Sequence, residues 1–332
     1  MPGFVKKFLS EWRRLGVKSS STLIAGVSGG ADSCALLYAL SELRANEKIG
    51  NRIIAAHFDH ALRGEDSAQD LVFVSGFAAS LGVEFRTAAA NPDDYSGNLE
   101  QDARRARYRF LESVALSEKA DAVLTGHTQN DQAETVLINM IRGSGPSGVS
   151  GMPVRRRLSG SCEIELLRPM LLWATRADTE RYCVESHINF RDDDMNEDPS
   201  FSRVRIRKSL IPILKDLNPN IILTLARSAE NAVEAQDALD WFAVQNEQIS
   251  NIVESEEIAV AELNDLPPSI RNLAVRKWLE TRLGTLKRIS RANTIAVIDL
   301  AGSRKSGRIV EIPGEYVVLK HEGKLKLTNK HS

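Results

Sequence analysis

The chain has 332 residues, 42% of them hydrophobic and 26% charged, and a net charge of −1. That length exceeds one typical domain and allows a sizeable core, so two domains are expected. The near-neutral charge excludes a globally basic nucleic-acid binder, and any polyanion must be met by local patches. Three cysteines, Cys34, Cys162 and Cys183, are too few and too scattered for a disulfide framework or a four-ligand zinc site.

The N-terminal stretch carries Phe4, Val5, Phe8, Leu9, Trp12 and Leu15 at helical spacing, broken by Lys6, Lys7, Glu11 and two arginines. This is unlike the continuous apolar core of a signal peptide. No run reaches the length of a membrane span, so a cytoplasmic protein without membrane contact is expected. "TLIAGV" (22–27) is a short apolar run that ends in glycines, and after it Cys34, Leu36, Leu37, Leu40 and Leu43 recur at helical spacing. The reading is strand, tight loop, helix. The pattern repeats: "RIIAAHF" (52–58), "VEFRTAA" (83–89) and "DAVLTGH" (121–127) precede helical stretches at about 66–81, 99–116 and 130–141. Such alternation predicts an α/β fold with a doubly wound parallel sheet. Ligands of these sheets bind at the carboxyl ends of the strands, where "SGGADS", "HFDHALR" and "GHTQNDQAE" all fall.

Residues 142–160 are rich in Gly, Ser and Pro and read as a mobile surface loop. "CEIELLRPM" (162–170) supplies a further strand, and Thr175 is placed to cap a helix running to about His187, with Asp178 as the capping acid. After the acidic loop "RDDDMNEDPSF" (191–201) the pattern turns helical, at about 203–215, 219–250 and 263–281. This sets a catalytic domain at 1–215 and a smaller helical and α+β accessory domain at 216–332. The latter ends in a helix from about Ser290 and a small antiparallel sheet turning at Pro313-Gly314 and Glu322-Gly323.

A glycine loop between strand and helix, with open backbone N–H groups at a helix N-terminus, is an anion site. Gly29 and Gly30 permit close approach, and Ser28 and Ser33 add hydroxyls. The loop lacks both the lysine of a Walker A loop and the GxGxxG spacing of dinucleotide folds. Asp32 in its midst repels phosphate unless a hard cation intervenes, which points to Mg2+. Further along, His127, Asp131 and Glu134 fall at i, i+4 and i+7 and are expected on one helix face beside the loop. Arg104 and Arg107 share a face three residues apart, and guanidinium forks fit phosphates. His57, Asp59 and His60 offer a transition-metal reading, but no third ligand typical of a zinc enzyme stands nearby, and a phosphate-bound hard cation fits better. Basic patches for a nucleic acid lie at Arg155 to Arg157, "RVRIRK" (203–208), "KRISR" (287–291) and "SRKSGR" (303–308).

"SGGADS" resembles the SGGxDS signature of the PP-loop, or N-type, ATP pyrophosphatases, which cleave ATP between its α and β phosphates. "HFDHALR" (57–63), "NLEQDARRARYRF" (98–110), "LTGHTQNDQAETVLINMIRGSG" (124–145), "LLRPML" (166–171) and "DDDMNEDPSFSRVRIRKSLIPIL" (192–214) resemble, in order and spacing, the blocks of the bacterial tRNA(Ile)-lysidine synthetase family. The resemblance implies an ATP-dependent ligase that adenylates the wobble cytidine of the isoleucine tRNA with a CAU anticodon and joins free L-lysine to it, releasing AMP and pyrophosphate. It implies ATP contacts at Ser28, Gly29, Gly30, Asp32, Ser33, Phe58 and Gly126, and Mg2+ at Asp32 and Asp131. Catalytic roles go to Asp32, Arg104, Arg107, His127, Asp131 and Glu134, and tRNA contacts to Arg155, Arg203, Arg205 and Arg207. A monomer or homodimer is expected. The family pattern DxSN, followed by an arginine-asparagine pair, is replaced here by "DDMN" and "RVRIR". Several members continue into a further C-terminal domain, whereas this chain is expected to stop after the first accessory region. The alternative is a tRNA thiolation enzyme on the same loop, which needs reactive cysteines or an iron-sulfur cluster.

Overall fold

The computed structural model describes residues 2–61, 65–91, 95, 99–160, 162–191, 202–286, 289–305 and 307–330. The acidic loop at 192–201 therefore lies outside the described residues. The chain forms two compact units, one of Met1–Arg142 with Gly148–Glu230 and the other of Gly143–Ser147 with Asn231–Ser332. The first unit thus extends beyond residue 215, because helix α9 (Ile211–Leu217) and the start of α10 (Ile221–Gln245) pack their Ile211, Ile221, Ile222 and Leu225 against Ala133 and Leu137.

The first unit is built on strands β1 (Thr22–Gly26), β2 (Arg52–Asp59), β3 (Glu84–Ala89), β4 (Ala122–Thr125), β5 (Arg155–Arg157) and β6 (Glu165–Leu167), in the order β3-β2-β1-β4-β6-β5. All pairings are parallel except β5 with β6. The period of two divides each central strand between two cores. Leu23, Ala25, Ile53, Ala55, Leu124 and Leu167 join the core that includes Val5 and Phe8 of α1 (Gly3–Leu15), Leu36 and Leu40 of α2 (Ala31–Ala45), Val74 of α3 (Glu65–Ser80) and Tyr182 of α7 (Arg176–Glu185). Ile24, Ile54, Val123 and Leu166 face Phe110, Leu111 and Val114 of α4 (Leu99–Ser117). Strand order reverses at the β1–β4 pair, and the loops after these two strands flank the switch point where open α/β sheets bind ligands.

Three local readings are corrected. The segment 142–160 is not a plain loop, since it contains the short helix α6 (Pro146–Val149) and edge strand β5. β5 is three arginines and has no apolar alternation to betray it. It is held by pairing with β6, by an Arg155 bond to the Leu15 carbonyl at 2.6 Å and by an Arg155–Glu165 ion pair at 3.2 Å. The helix expected at 203–215 is α8 (Ser202–Arg205), a π-helical turn (Ile206–Leu210) and α9 in succession. The long helix expected at 219–250 is α10 followed by α11 (Glu247–Glu254), which Asn246 caps by accepting from the Ile249 N–H at 3.1 Å.

In the second unit, helices α11, α12 (Val260–Asp265), α13 (Pro268–Leu283) and α14 (Arg291–Gly302) pack with an antiparallel sheet in the order β7-β10-β9-β8. Strands β8 (Arg308–Ile312), β9 (Tyr316–His321) and β10 (Lys324–Asn329) turn at the two Gly-containing pairs expected, and Gly314 and Gly323 adopt φ of 96° and 73°. Strand β7 (Glu257–Ala259) is too short to leave a period. Trp278, fully buried, anchors this core and donates its indole N–H to the Ser255 carbonyl at 3.0 Å. Among the described residues no helix is long and apolar enough to cross a membrane.

Candidate active site

The loop after β1 owes its shape to Ser33. Its hydroxyl oxygen accepts the N–H groups of Ser28 at 3.1 Å and Gly29 at 3.2 Å, and donates to the Gly30 carbonyl at 2.9 Å. A serine has one hydroxyl proton, so Ser33 builds the loop from within and has no further proton to give a ligand. Gly29 holds φ at 97°, where a side chain is strained, and packs against Val74 and Phe73. Gly30 stands at the N-cap of α2 without a side-chain cap, leaving the first N–H groups of that helix to an anion. Ser28 is exposed at the mouth.

Around the loop a cleft gathers Ser28, Asp32, Ser33, His57, Phe58, Asp59, Arg104, Arg107, Gly126, His127, Asp131, Arg203 and Arg207. Most of the residues singled out in the sequence therefore meet. Gly126 serves by its size: a Cβ there would lie 2.7 Å from the Asp32 carbonyl oxygen, so β4 and α2 close on each other only around glycine. Phe58 forms an apolar wall with Phe110, ring centroids 5.4 Å apart. His57 is buried and donates from Nδ1 to the Val27 carbonyl at 2.9 Å, which fixes the orientation of the ring.

The Asp32 carboxyl accepts from the Thr179 hydroxyl and lies 3.7 Å from the Arg176 guanidinium. Burial, then the charge of Asp131, pushes its pKa from 3.8 up to about 6. Asp131 is the third residue of α5 (Gln129–Ile141), and one oxygen, Oδ2, accepts the Thr128 N–H at 2.8 Å and the Thr128 hydroxyl at 3.2 Å. Burial raises its pKa, but His127, the Thr128 N–H, Arg203 and Arg207 outweigh it and favour the anion. His127 precedes the helix and shares a 2.8 Å hydrogen bond with the Thr125 hydroxyl through Nδ1. Burial depresses its pKa, Asp131 opposes this, and Arg168, Arg107 and Arg104 reinforce it, so the ring is neutral.

Glu134 departs from expectation. It does not line the cleft: it is 1% exposed and receives both arms of Arg207, at 2.7 and 3.2 Å. The helix starts at Gln129 and not at His127, so His127 lies outside it and only Asp131 and Glu134 keep the helical spacing expected of all three. Arg203 and Arg207 turn toward the cleft, whereas Arg205 is exposed and Arg155 is tied to the edge of the sheet. Sequence reasoning passed over Arg176 and Thr179 on α7, and Asp70 on α3, whose carboxylate is paired with Arg191 and lines the cleft. Thr179 sits one turn after the capping Thr175, a spacing that marks a helix start and says nothing of a ligand site.

Two of the three cysteines lie near the loop but in inert settings. Cys34 and Cys183 are buried and pushed up to about 12, chiefly by burial. Among the described residues no three His, Cys, Asp or Glu side chains converge as metal ligands.

A family model described as a PP-loop domain matches residues 4–214. The curated protein named tRNA(Ile)-lysidine synthase from Solibacter usitatus is 35% identical over 302 residues, 89% of this chain and 65% of its own length. Proteins of the same name from Dehalococcoides mccartyi and Bacillus cereus are 32% and 39% identical, over 91% and 62% of this chain and 65% and 43% of theirs. The chain thus spans less than two thirds of the length of these relatives. Among solved structures, the U34-tRNA thiolase NcsA from Methanococcus maripaludis with its 4Fe-4S cluster matches with a TM-score of 0.56 and 19% identity, over 70% of this chain and 80% of that one. That likeness concerns the fold alone. With its signature loop, its switch-point cleft and the family match over most of its first unit, the chain belongs to the PP-loop family.

Proposed function

We propose that this chain is a tRNA(Ile)-lysidine synthase. ATP transfers its AMP moiety to the C2 carbonyl oxygen of the wobble cytidine, breaking the bond between the α and β phosphates and releasing pyrophosphate. The ε-amine of free lysine then forms a bond to C2 as the C2–O bond breaks, and AMP leaves with the bonding electrons. The observation that carries this reading is the meeting, in one cleft, of Ser28, Asp32 and Ser33 of the SGGADS loop with Arg104, Arg107, His127 and Asp131. The names of the relatives support it.

In this reading the α2 N-terminus and the Ser28 hydroxyl hold the departing pyrophosphate. Arg104 and Arg107 offset the charge that builds as it leaves. His127 faces the reacting carbonyl, and a cleft carboxylate takes the proton that the lysine ammonium must lose before attack. Asp32 and Asp131 would hold Mg2+, which neutralises polyphosphate charge when bound. The residues fit such a cation, because the charge of Asp131 raises the cost of ionising Asp32, and phosphate oxygens and water would complete a hard-cation shell. Glu134 acts through Arg207 and takes no ligand of its own. The thiolation alternative is disfavoured by the buried, strongly basic thiols of Cys34 and Cys183.

The test is exchange of labelled pyrophosphate into ATP. Exchange that requires the unmodified tRNA and not lysine is expected, since adenylation precedes lysine attack. Exchange driven by lysine without tRNA would show that the amino acid, not the base, is activated.

A further inference from the structure

The wall of the cleft holds more positive charge than the catalytic assignment needs, and it is organised around one ring. Tyr108 lies on α4 next to Arg107. The Arg104 guanidinium carbon is 5.0 Å from the ring centroid, and those of Arg107 and Arg156 are each 5.7 Å away. Arg104 also donates to the Tyr108 hydroxyl at 3.4 Å. Arg168, 2% exposed, completes the group; it donates to the Pro153 carbonyl at 2.6 Å, while its Nε has no partner among the described residues.

Such crowding is unfavourable without a counter-charge. Burial lowers the Arg104 pKa, Tyr108 opposes the effect, and Arg107, Arg203 and Arg168 add to it. Burial raises the Tyr108 phenol, yet the four surrounding arginines bring it below its ordinary value. For Arg104 and Arg107 the partner found among the described residues is aromatic, not a carboxylate. The difference matters. A carboxylate would fix the guanidinia as firmly and cancel the charge that a polyanion needs, whereas the negative face of a ring holds a cation and leaves its charge whole.

We propose that Tyr108 is the positioning residue of the nucleotide site, its ring holding Arg104 and Arg107 at the cleft wall, charged and pre-oriented, for the polyphosphate of ATP. This rests on the reading of the cleft as an ATP site. The ring is not among the residues that line the cleft and acts through the two arginines, by reducing the ordering that binding would otherwise require.

The experiment measures ATP and inorganic pyrophosphate binding by calorimetry, on the full chain, with position 108 as tyrosine, phenylalanine, mono-, di- and trifluorinated phenylalanine, and leucine. Fluorination draws negative charge from the ring face with little change of shape, so it leaves packing nearly intact. Tyr108→Phe is expected within about threefold of wild type, affinity is expected to fall stepwise with fluorine to about tenfold, and Tyr108→Leu is expected to lose at least as much. A flat fluorine series, with wild type binding ATP normally, overturns the role of Tyr108 and leaves the ATP site standing. Wild-type protein that binds neither ATP nor pyrophosphate overturns the ATP site, and this proposal with it. A leucine variant that fails to fold leaves the fluorine series to decide.

Discussion

Arg207 donates from Nε to Glu134 at 2.7 Å, joining the π-helical turn at 206–210 to the interior of α5. The carboxylate is buried and the guanidinium is 24% exposed at the cleft, so a hidden charge aims a visible one. Breaking such a pair from one side leaves an uncompensated buried charge and costs about 3 to 5 kcal/mol. Glu134→Ala and Arg207→Ala are each expected to lower stability by about 3 kcal/mol in urea unfolding. The double variant Glu134→Gln/Arg207→Gln is expected to recover most of that loss while remaining at least tenfold slower in turnover. Additive losses would show that the two residues do not act as a pair.

Gly126 tests packing without touching a polar group. An alanine methyl would meet the Asp32 carbonyl oxygen at 2.7 Å, and backbone cannot swing aside as a side chain can. Gly126→Ala is expected to cost about 1 to 3 kcal/mol and to weaken ATP binding at least tenfold, because the start of α2 must shift. Calorimetry showing wild-type affinity would contradict the fit of β4 against the loop.

Asp32 links the site to pH. Its folded pKa is raised, from 3.8 to about 6, so in the absence of nucleotide and divalent cation the native state binds a proton more tightly than the unfolded chain. Stability from this group is present below about pH 4 and is lost as pH rises through 6, a difference on the order of 2 to 3 kcal/mol. Asp32→Asn is therefore expected to raise the melting temperature at pH 7.5, to leave it nearly unchanged at pH 4, and to abolish turnover. A variant less stable than wild type at pH 7.5 would refute the cause assigned to the shift.

Much of the fold was open to reading because it rests on period and punctuation. The buried runs at 22–26 and 122–125, the caps at Thr175 and Ser290, and the turns at Gly314 and Gly323 each leave a local mark. Where the mark is absent the reading fails: β5 is three arginines, β7 is three residues long, and the π turn has an ordinary helical sequence. The site divides in the same way. The glycine loop and the cleft arginines were legible from spacing, but the partner of Glu134 lies 73 positions away and the partner of Asp32, Thr179, lies 147 away. No spacing rule reaches across such distances. They were hidden because each pair is brought together by the packing of one helical element on another, α5 on the π turn and α2 on α7, and not by position along a single helix.

The thiols separate two chemistries. With pKa values pushed up to about 12 by burial, Cys34 and Cys183 carry almost no thiolate at pH 8, while Cys162 is half-buried. Iodoacetamide is expected to modify at most Cys162 in the folded chain and all three after denaturation. Rapid labelling of Cys34 or Cys183 in the native protein would revive a sulfur-transfer reading.

Lysine transfer to the wobble base is read out by incubating the full chain with ATP, radiolabelled lysine and unmodified isoleucine tRNA bearing the CAU anticodon, then digesting the tRNA to nucleosides. One lysine joined to the wobble cytidine is expected for each AMP released, and none when ATP or tRNA is omitted. AMP release with no lysine in the tRNA, or tRNA binding without turnover, would contradict this transfer.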